Sequence, residues 1–527
     1  MSWPQALDPG KSAAGAGVRP ARDRMARRLL KASTKPLGVL FFWRFSMSKL
    51  MGWSVVAVGV SVVAGCTGLA FPSTPGGDGP SSSLSTGGIA VDPRTETAFV
   101  LKRSTSDLAG TDGGIPGSGI PGGPIFAIGP DTGAVTQVAD LTGYGEIRVL
   151  FPKSSMLVLG EDGTTNGDTL MRFDENTLAM TTSVSTTAQY WGTRTSPTGT
   201  YVAVADNSQA SPPIHVIEAD TLKVHALPAN GAELEAMWLR KSDTLVAIYF
   251  TSGPDSLGSA RIITWSVPQL QGLGFPTDQE GLWTSRQIDV TVPNVGFDDL
   301  FSYTWVGISP DDTTAAIPVL TQTAAGAPVT HELIVMDLAK GAFQTVANAY
   351  GPVGFTPDGS TIVSYRYSAN ASDSSQLLLI DTKTLAPETA DIPSGAAPTF
   401  YVTSEGNDVV IASDLGLTTL VVYDVSTHSF EKVGGPALAL SSFVARVGHD
   451  ELWLVDDGLF RLDFVTAALT QIPISWTPLN IDILPMHDLL VLDDQASGDI
   501  RFFSPDTLAV TQTVALPVAV ATTASMP

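Results

Sequence analysis

Residues 351–393 read GPVGFTPDGSTIVSYRYSANASDSSQLLLIDTKTLAPETADIP. Four short β-rich runs are separated by turn chemistry. GPVGF passes through Thr356-Pro357-Asp358-Gly359 into TIVSYRY, the polar stretch SANASDSS precedes QLLLI, and Asp381-Thr382-Lys383-Thr384 leads into LAPETADIP. Proline presets φ for a turn, and glycine and aspartate accept the conformations that reverse a chain. The runs therefore read as antiparallel strands with no helical pattern between them.

Both turns recur along the chain. The first appears as VDPRTETAFV, FPKSSMLVL, SPTGTYVAV, LRKSDTLVAI, SPDDTTAAI, TPDGSTIVS, TSEGNDVVI, VGHDELWLV and LPMHDLLVL. The second falls at Gly129, Asp174, Glu218, Ser266, Asp337, Asp381, Asp424, Asp463 and Ser504, with spacings of 45, 44, 48, 71, 44, 43, 39 and 41 residues. The one wide gap holds an insertion, about Val267–Leu300. A four-stranded unit at this period cannot cover its own faces and must stack on its neighbours. The fold class is all-β: a single β-propeller of four-stranded antiparallel blades. Nine units give eight or nine blades. The first unit carries a Gly-rich insertion (Ser104–Pro124), the eighth (Leu438–Pro473) is short, and strand-sharing between the termini would turn nine units into eight blades. The aspartates of the second turn are read as turn-formers.

Charged residues make up 15% of the chain, with 50 Gly and 36 Pro, which suits short strands and many turns. Residues 1–65 hold ten Lys/Arg and two Asp/Glu, so the remainder is near −31 although the whole chain is −23. So acidic a body repels nucleic acid and anionic headgroups.

The lone cysteine is Cys66. Lys49, then the apolar run WSVVAVGVSVV, then Val63-Ala64-Gly65-Cys66 form a secretory signal too short to span a membrane. Val-Ala-Gly-Cys resembles the bacterial lipobox, which implies lipidation of Cys66 as the mature N-terminus. In that resemblance Thr67, where aspartate would signal inner-membrane retention, points to the outer membrane or cell surface. The chain accordingly divides into an N-terminal extension ahead of a start at Met47 (1–46; the alternative is a long basic leader), a signal peptide (47–65), a flexible tether (66–86), the propeller (87–516) and a tail (517–527).

The SPDG-like turn followed by VxVID-like strands resembles the YVTN-type and Tol-system propellers of bacterial envelopes, over about Gly87–Leu516. No unit carries YVTN itself, and the fourth ends in WSVPQL without the aspartate. In such propellers the first strand of each unit lines the axis. The resemblance therefore places Arg148, Trp191, Arg194, Glu235, Trp238, Trp305, Tyr401 and Asp482 near the axis as candidate ligand or partner contacts, with Glu146 and Arg446 beside them. Aromatic rings beside charges can stack on a ligand and grip it. The competing reading packs the tryptophans between blades and pairs the charges.

No HExxH, no GxSxG and no cysteine ligand set is present, and the six histidines lack ligand spacing. Gly160–Asp168, GEDGTTNGD, puts carboxylates in a glycine loop without calcium-loop spacing. No catalytic residue, metal or cofactor is assigned. The expectation is a monomeric, membrane-anchored extracytoplasmic binding or scaffolding module for an envelope protein or glycan, with no nucleic-acid partner. The alternatives are a lactonase- or lyase-type propeller enzyme with a metal at its axis, and a purely structural envelope protein.

Overall fold

The computed structural model describes residues 89–517 apart from 103–122, 142–143, 154, 163–166, 189, 207–212, 228–231, 253–257, 277–285, 297–305, 322–329, 367–375, 393–397, 403–407, 414–420, 426, 433–441, 447 and 456. Cys66, the signal, the tether and most of the tail lie outside the described residues.

The chain folds as nine consecutive units of four antiparallel strands. The opening stretch is the sixth, with strands Tyr350–Phe355, Thr361–Arg366, Gln376–Asp381 and Pro387–Asp391 in simple up-and-down order. Seven units form separate four-stranded sheets. Units four and five merge into one eight-stranded sheet, giving eight sheets in all. The merger arises because the innermost strand of unit five is only Gly307–Ile308, and Val295–Gly296 of unit four pairs with the uncovered end of its neighbour at Leu320–Thr321. Neither unit one nor unit eight is incomplete. Each supplies four strands, and among the described residues no strand is shared between the first and last units.

The insertion in unit four is smaller than the spacing suggests. Val267–Gly272 is a short helix, started by a proline in its first turn and buried through Val267 and Leu270. Arg286–Gly296 is not inserted sequence but the outer strand of unit four, paired along Gly258–Trp265. Its alternation, with Ile288 and Val292 buried, is the ordinary strand period.

The core lies between units. Ile147, Val149 and Phe151 of unit two pack on Phe99 and Ile125 of unit one. Equivalent apolar layers join units two to three, three to four, four to five, five to six, seven to eight and eight to nine. A further layer, with Val91 and Val100 against Leu484 and Phe502, joins nine back to one and closes the ring. Each such side chain contributes about 1.5–3 kcal/mol by leaving water.

The strand order places the connections between strands one and two, and between three and four, on one face. Those connections run four to six residues, the helix-bearing 267–285 apart. In the second turn Asp174 Oδ1 accepts from the backbone N–H of Asn176 (3.1 Å) and Thr177 (2.8 Å), and Asp381 Oδ1 does the same with Lys383 (3.0 Å) and Thr384 (2.7 Å). The Thr177 and Thr384 amides, with their hydroxyls, hold these carboxyls below the usual range. The position closing this turn is left-handed, filled by Gly133 and Gly341 but also by Leu178, Leu222 and Leu385 at φ 55, 56 and 55°. A left-handed leucine costs about 1–2 kcal/mol, and burying one returns about 1.5–3, so burial wins. Leu222 is 1% exposed in the layer between units two and three. Leu178 and Leu385 reach the layers on the same side of their own units.

In units four and five a carboxylate of the first turn ties the unit to the one before it. Asp243 accepts from the Thr198 amide (3.2 Å), and Asp312 accepts from the amides of Arg240 and Lys241 (both 2.7 Å). In unit six Asp358 Oδ1 instead closes its own turn, accepting from the Thr356 hydroxyl (2.7 Å) and the Ser360 amide (2.9 Å). Asp358→Ala is expected to lower the unfolding free energy by about 1 kcal/mol, read from denaturant midpoints. No change would mean that the turn is held by its backbone alone.

Candidate functional site

The innermost strands carry the sequence-based candidates. Arg148, Trp191, Glu235 and Tyr401 take strand positions there, on Tyr144–Leu150, Tyr190–Thr195, Ala232–Trp238 and Pro398–Val402, and their side chains lie outside what is described. Trp305 lies outside the described residues altogether.

Three candidates have described side chains. Trp238 packs between blades, the competing reading of its ring. It is 4% exposed in the layer between units three and four, lies 6.3 Å from the Tyr201 ring at 21°, and donates from Nε1 to the Arg194 carbonyl at 2.9 Å. At that exposure its ring is part of the packing between the two units. Arg194 is half-buried beside it.

Asp482 sits on the innermost strand of unit nine, Pro478–Leu484, partly exposed. Its Oδ2 accepts from the Val91 amide of unit one at 2.9 Å, and Oδ1 accepts from Ile483 at 2.8 Å. Partial burial pushes its carboxyl up, against the pull of those two amides. Arg446 lies at the turn end of its strand, 3% exposed and paired to three carboxylates, and serves as a clasp on the short-turn face.

The opposite face carries the connections between strands two and three and those between units. These vary from two residues (348–349) to 22 (102–123), with 297–306, 322–329, 367–375 and 433–441 also long. A polar cluster absent from the sequence-based candidates stands on this face between units two and three. Asp168, 7% exposed, opens the third strand of unit two, and its Oδ2 accepts from the Tyr190 amide at 2.7 Å. Asp206, 2% exposed, ends the second strand of unit three, and His215 follows the next connection. The His215 ring meets Tyr190 edge-on at 5.6 Å and 77°. Burial pushes the Tyr190 phenol up to about 12, and burial lowers His215 against the opposing pull of Asp206. The cluster thus brings an imidazole and a phenol together with two aspartates. Its only sequence signal is the acidic end of Gly160–Asp168 and the aspartate and histidine flanking residues 207–212. Among the described residues no three His, Cys, Asp or Glu side chains converge to hold a metal.

No protein-family description matches the chain, and no curated protein does. Its backbone is similar to a dihydro-heme d1 dehydrogenase, NirN, in complex with DHE, at 12% identity and a TM-score of 0.40 over 69% of this chain and 73% of that one. It is also similar to the β-propeller domain of the trilobed protease from Pyrococcus furiosus, at 12% identity and TM-score 0.37 over 62% and 96%. Apo AztD from Citrobacter koseri gives 14%, 0.36, 66% and 92%. At these values the likeness carries nothing about binding or catalysis.

Proposed function

We propose that the chain is a lipid-anchored, extracytoplasmic propeller of the bacterial envelope that binds a protein or glycan partner through the face of its long connections. The observation that carries this reading is the contrast between the two faces. One is spent on short turns whose carboxylates clasp neighbouring units. The other bears the connections of very different length, and loops on a rigid scaffold are where recognition evolves. The lipobox-like Val63-Ala64-Gly65-Cys66 supports the anchor. The acidic body supports a partner other than nucleic acid. The resemblance to YVTN-type and Tol-system propellers supports an envelope setting on the outer membrane or cell surface, with the chain acting as a monomer.

Cys66→Ala is expected to move the protein from the membrane fraction to the soluble extracytoplasmic fraction, because the acyl chains supply the membrane affinity. Retention of the variant on membranes would refute the anchor. The anchor and the binding face are separable: a released variant that keeps its partner leaves the second half of the proposal standing.

A further inference from the structure

Among the described residues no chain crosses the junction of units nine and one, and no strand is shared there. What holds it, besides its apolar layer, is a small set of polar contacts. The Glu96 carboxylate, 1% exposed, accepts from the backbone amides of Met486 (3.1 Å) and His487 (3.3 Å). The His487 ring lies between two carboxylates of unit one, with Nδ1 at 3.2 Å from Glu96 Oε2 and Nε2 at 3.1 Å from Asp131 Oδ1. Lys102 Nζ donates to the carbonyls of Leu516 (3.1 Å) and Pro517 (2.8 Å). Asp482 reaches across to the Val91 amide.

Geometry decides which protonation states fit. A neutral imidazole donates from one nitrogen and turns a lone pair on the other carboxylate, whereas an imidazolium donates to both. Asp482 accepts one backbone amide at each oxygen, an arrangement that suits its carboxylate, so the protonation-dependent contact is the His487 bridge. We propose that the junction of units nine and one is a proton-operated latch, tight when His487 is doubly protonated and loosened when it loses a proton.

The surrounding charges leave His487 to set the response. Asp92 is paired with Arg94, Asp494 with Arg501, and Glu451 and Asp488 with Arg446. Asp493 is held within unit nine by the amides of Leu479 and Asn480 and the Asn480 side chain, and burial raises its carboxyl in the same direction as Asp482. The hydrogen bond to Glu96, then that to Asp131, raises His487 above the ordinary imidazole range. His487 is raised in the folded protein, so its grip is complete below its unfolded value and fades as pH climbs above the ordinary histidine value.

The test is hydrogen exchange of the full chain at pH 6 and pH 9, corrected for intrinsic rates. Peptides covering residues 89–101 and 478–494 are expected to lose protection about tenfold or more at pH 9, while residues 361–381 of unit six hold theirs. His487→Gln, at a side chain 34% exposed, is expected to show the loosened junction already at pH 6 and to lose the pH response. Equal protection at both pH values, an equal loss in unit six, or an unchanged pH response in His487→Gln would overturn the latch.

Discussion

Trp453→Ala is expected to cost about 3–5 kcal/mol of unfolding free energy, the range for emptying a fully buried indole site. Trp453 is 0% exposed, lies in the layer between units eight and nine, and meets Phe503 edge-on at 6.0 Å and 63°. Leu490, Leu492 and Ile481 close around it from unit nine. These are strands of different units, and they cannot collapse into the cavity without dragging two sheets together. The cost belongs at the upper end for that reason. Chemical denaturation reads it directly. A variant within about 0.5 kcal/mol of the parent, the scatter of ordinary surface changes, would mean that the units are not packed as described.

The second large effect is at Arg446, whose guanidinium is 3% exposed. Its Nε donates to Asp488 at 2.8 Å, and its terminal nitrogens reach Asp506 at 2.6 Å and Glu451 at 3.3 Å. Asp488 foremost, then Asp506 and Glu451, raise the arginine above its ordinary value, and the arginine in turn holds Asp488 below the usual carboxylate range. Arg446→Ala leaves Asp488 without its guanidinium and Glu451, 12% exposed, with only Arg461 at 3.5 Å and the Trp453 indole N–H at 3.2 Å among the described residues. Breaking a fully buried pair costs about 3–5 kcal/mol; because Asp506 and part of Asp488 reach water, about 2 kcal/mol is expected. In a cycle with Asp488→Ala the two losses are expected to be clearly non-additive. Additive losses would show that the contact is incidental. Since Asp488 is lowered in the folded protein, the clasp works above the ordinary aspartate value and is lost as pH falls through the folded one, the reverse of the latch at the next junction.

The propeller was legible in the sequence because its period lives in turns, and turn residues are chosen for backbone reasons that show in single letters. Pro357-Asp358-Gly359 and Asp381-Thr382-Lys383-Thr384 announce their geometry locally, and nine copies fix the phase. What the turns do for one another was not legible. That Asp312 ties down the amides of unit four, or that Leu222 accepts a left-handed backbone to reach another unit, depends on contacts between segments far apart in sequence. The outer strand Arg286–Gly296 was hidden because a helix and a connection stretched the spacing around an ordinary alternation.

The candidate site was less legible, for the same reason. An innermost strand shows which residues come near the axis, but not which side of the sheet each takes. Trp238 turned into the packing, while Asp482 turned to the junction with unit one. The Asp168, Tyr190, Asp206 and His215 cluster draws on four strands in two units, and no window of sequence holds it.

The most direct measurement compares two variants of the full chain for binding to envelope extract. In one, the connections 322–329 and 367–375 are shortened to Asn-Gly turns. In the other, surface positions of the short-turn face are replaced, with Leu273→Ser and Val465→Ser at sites 62% and 52% exposed. Saturable binding to a single envelope component is expected to fall at least about tenfold, roughly 1.4 kcal/mol, in the first variant and to stay unchanged in the second. Binding lost in the second variant and kept in the first would contradict the assignment of the binding face.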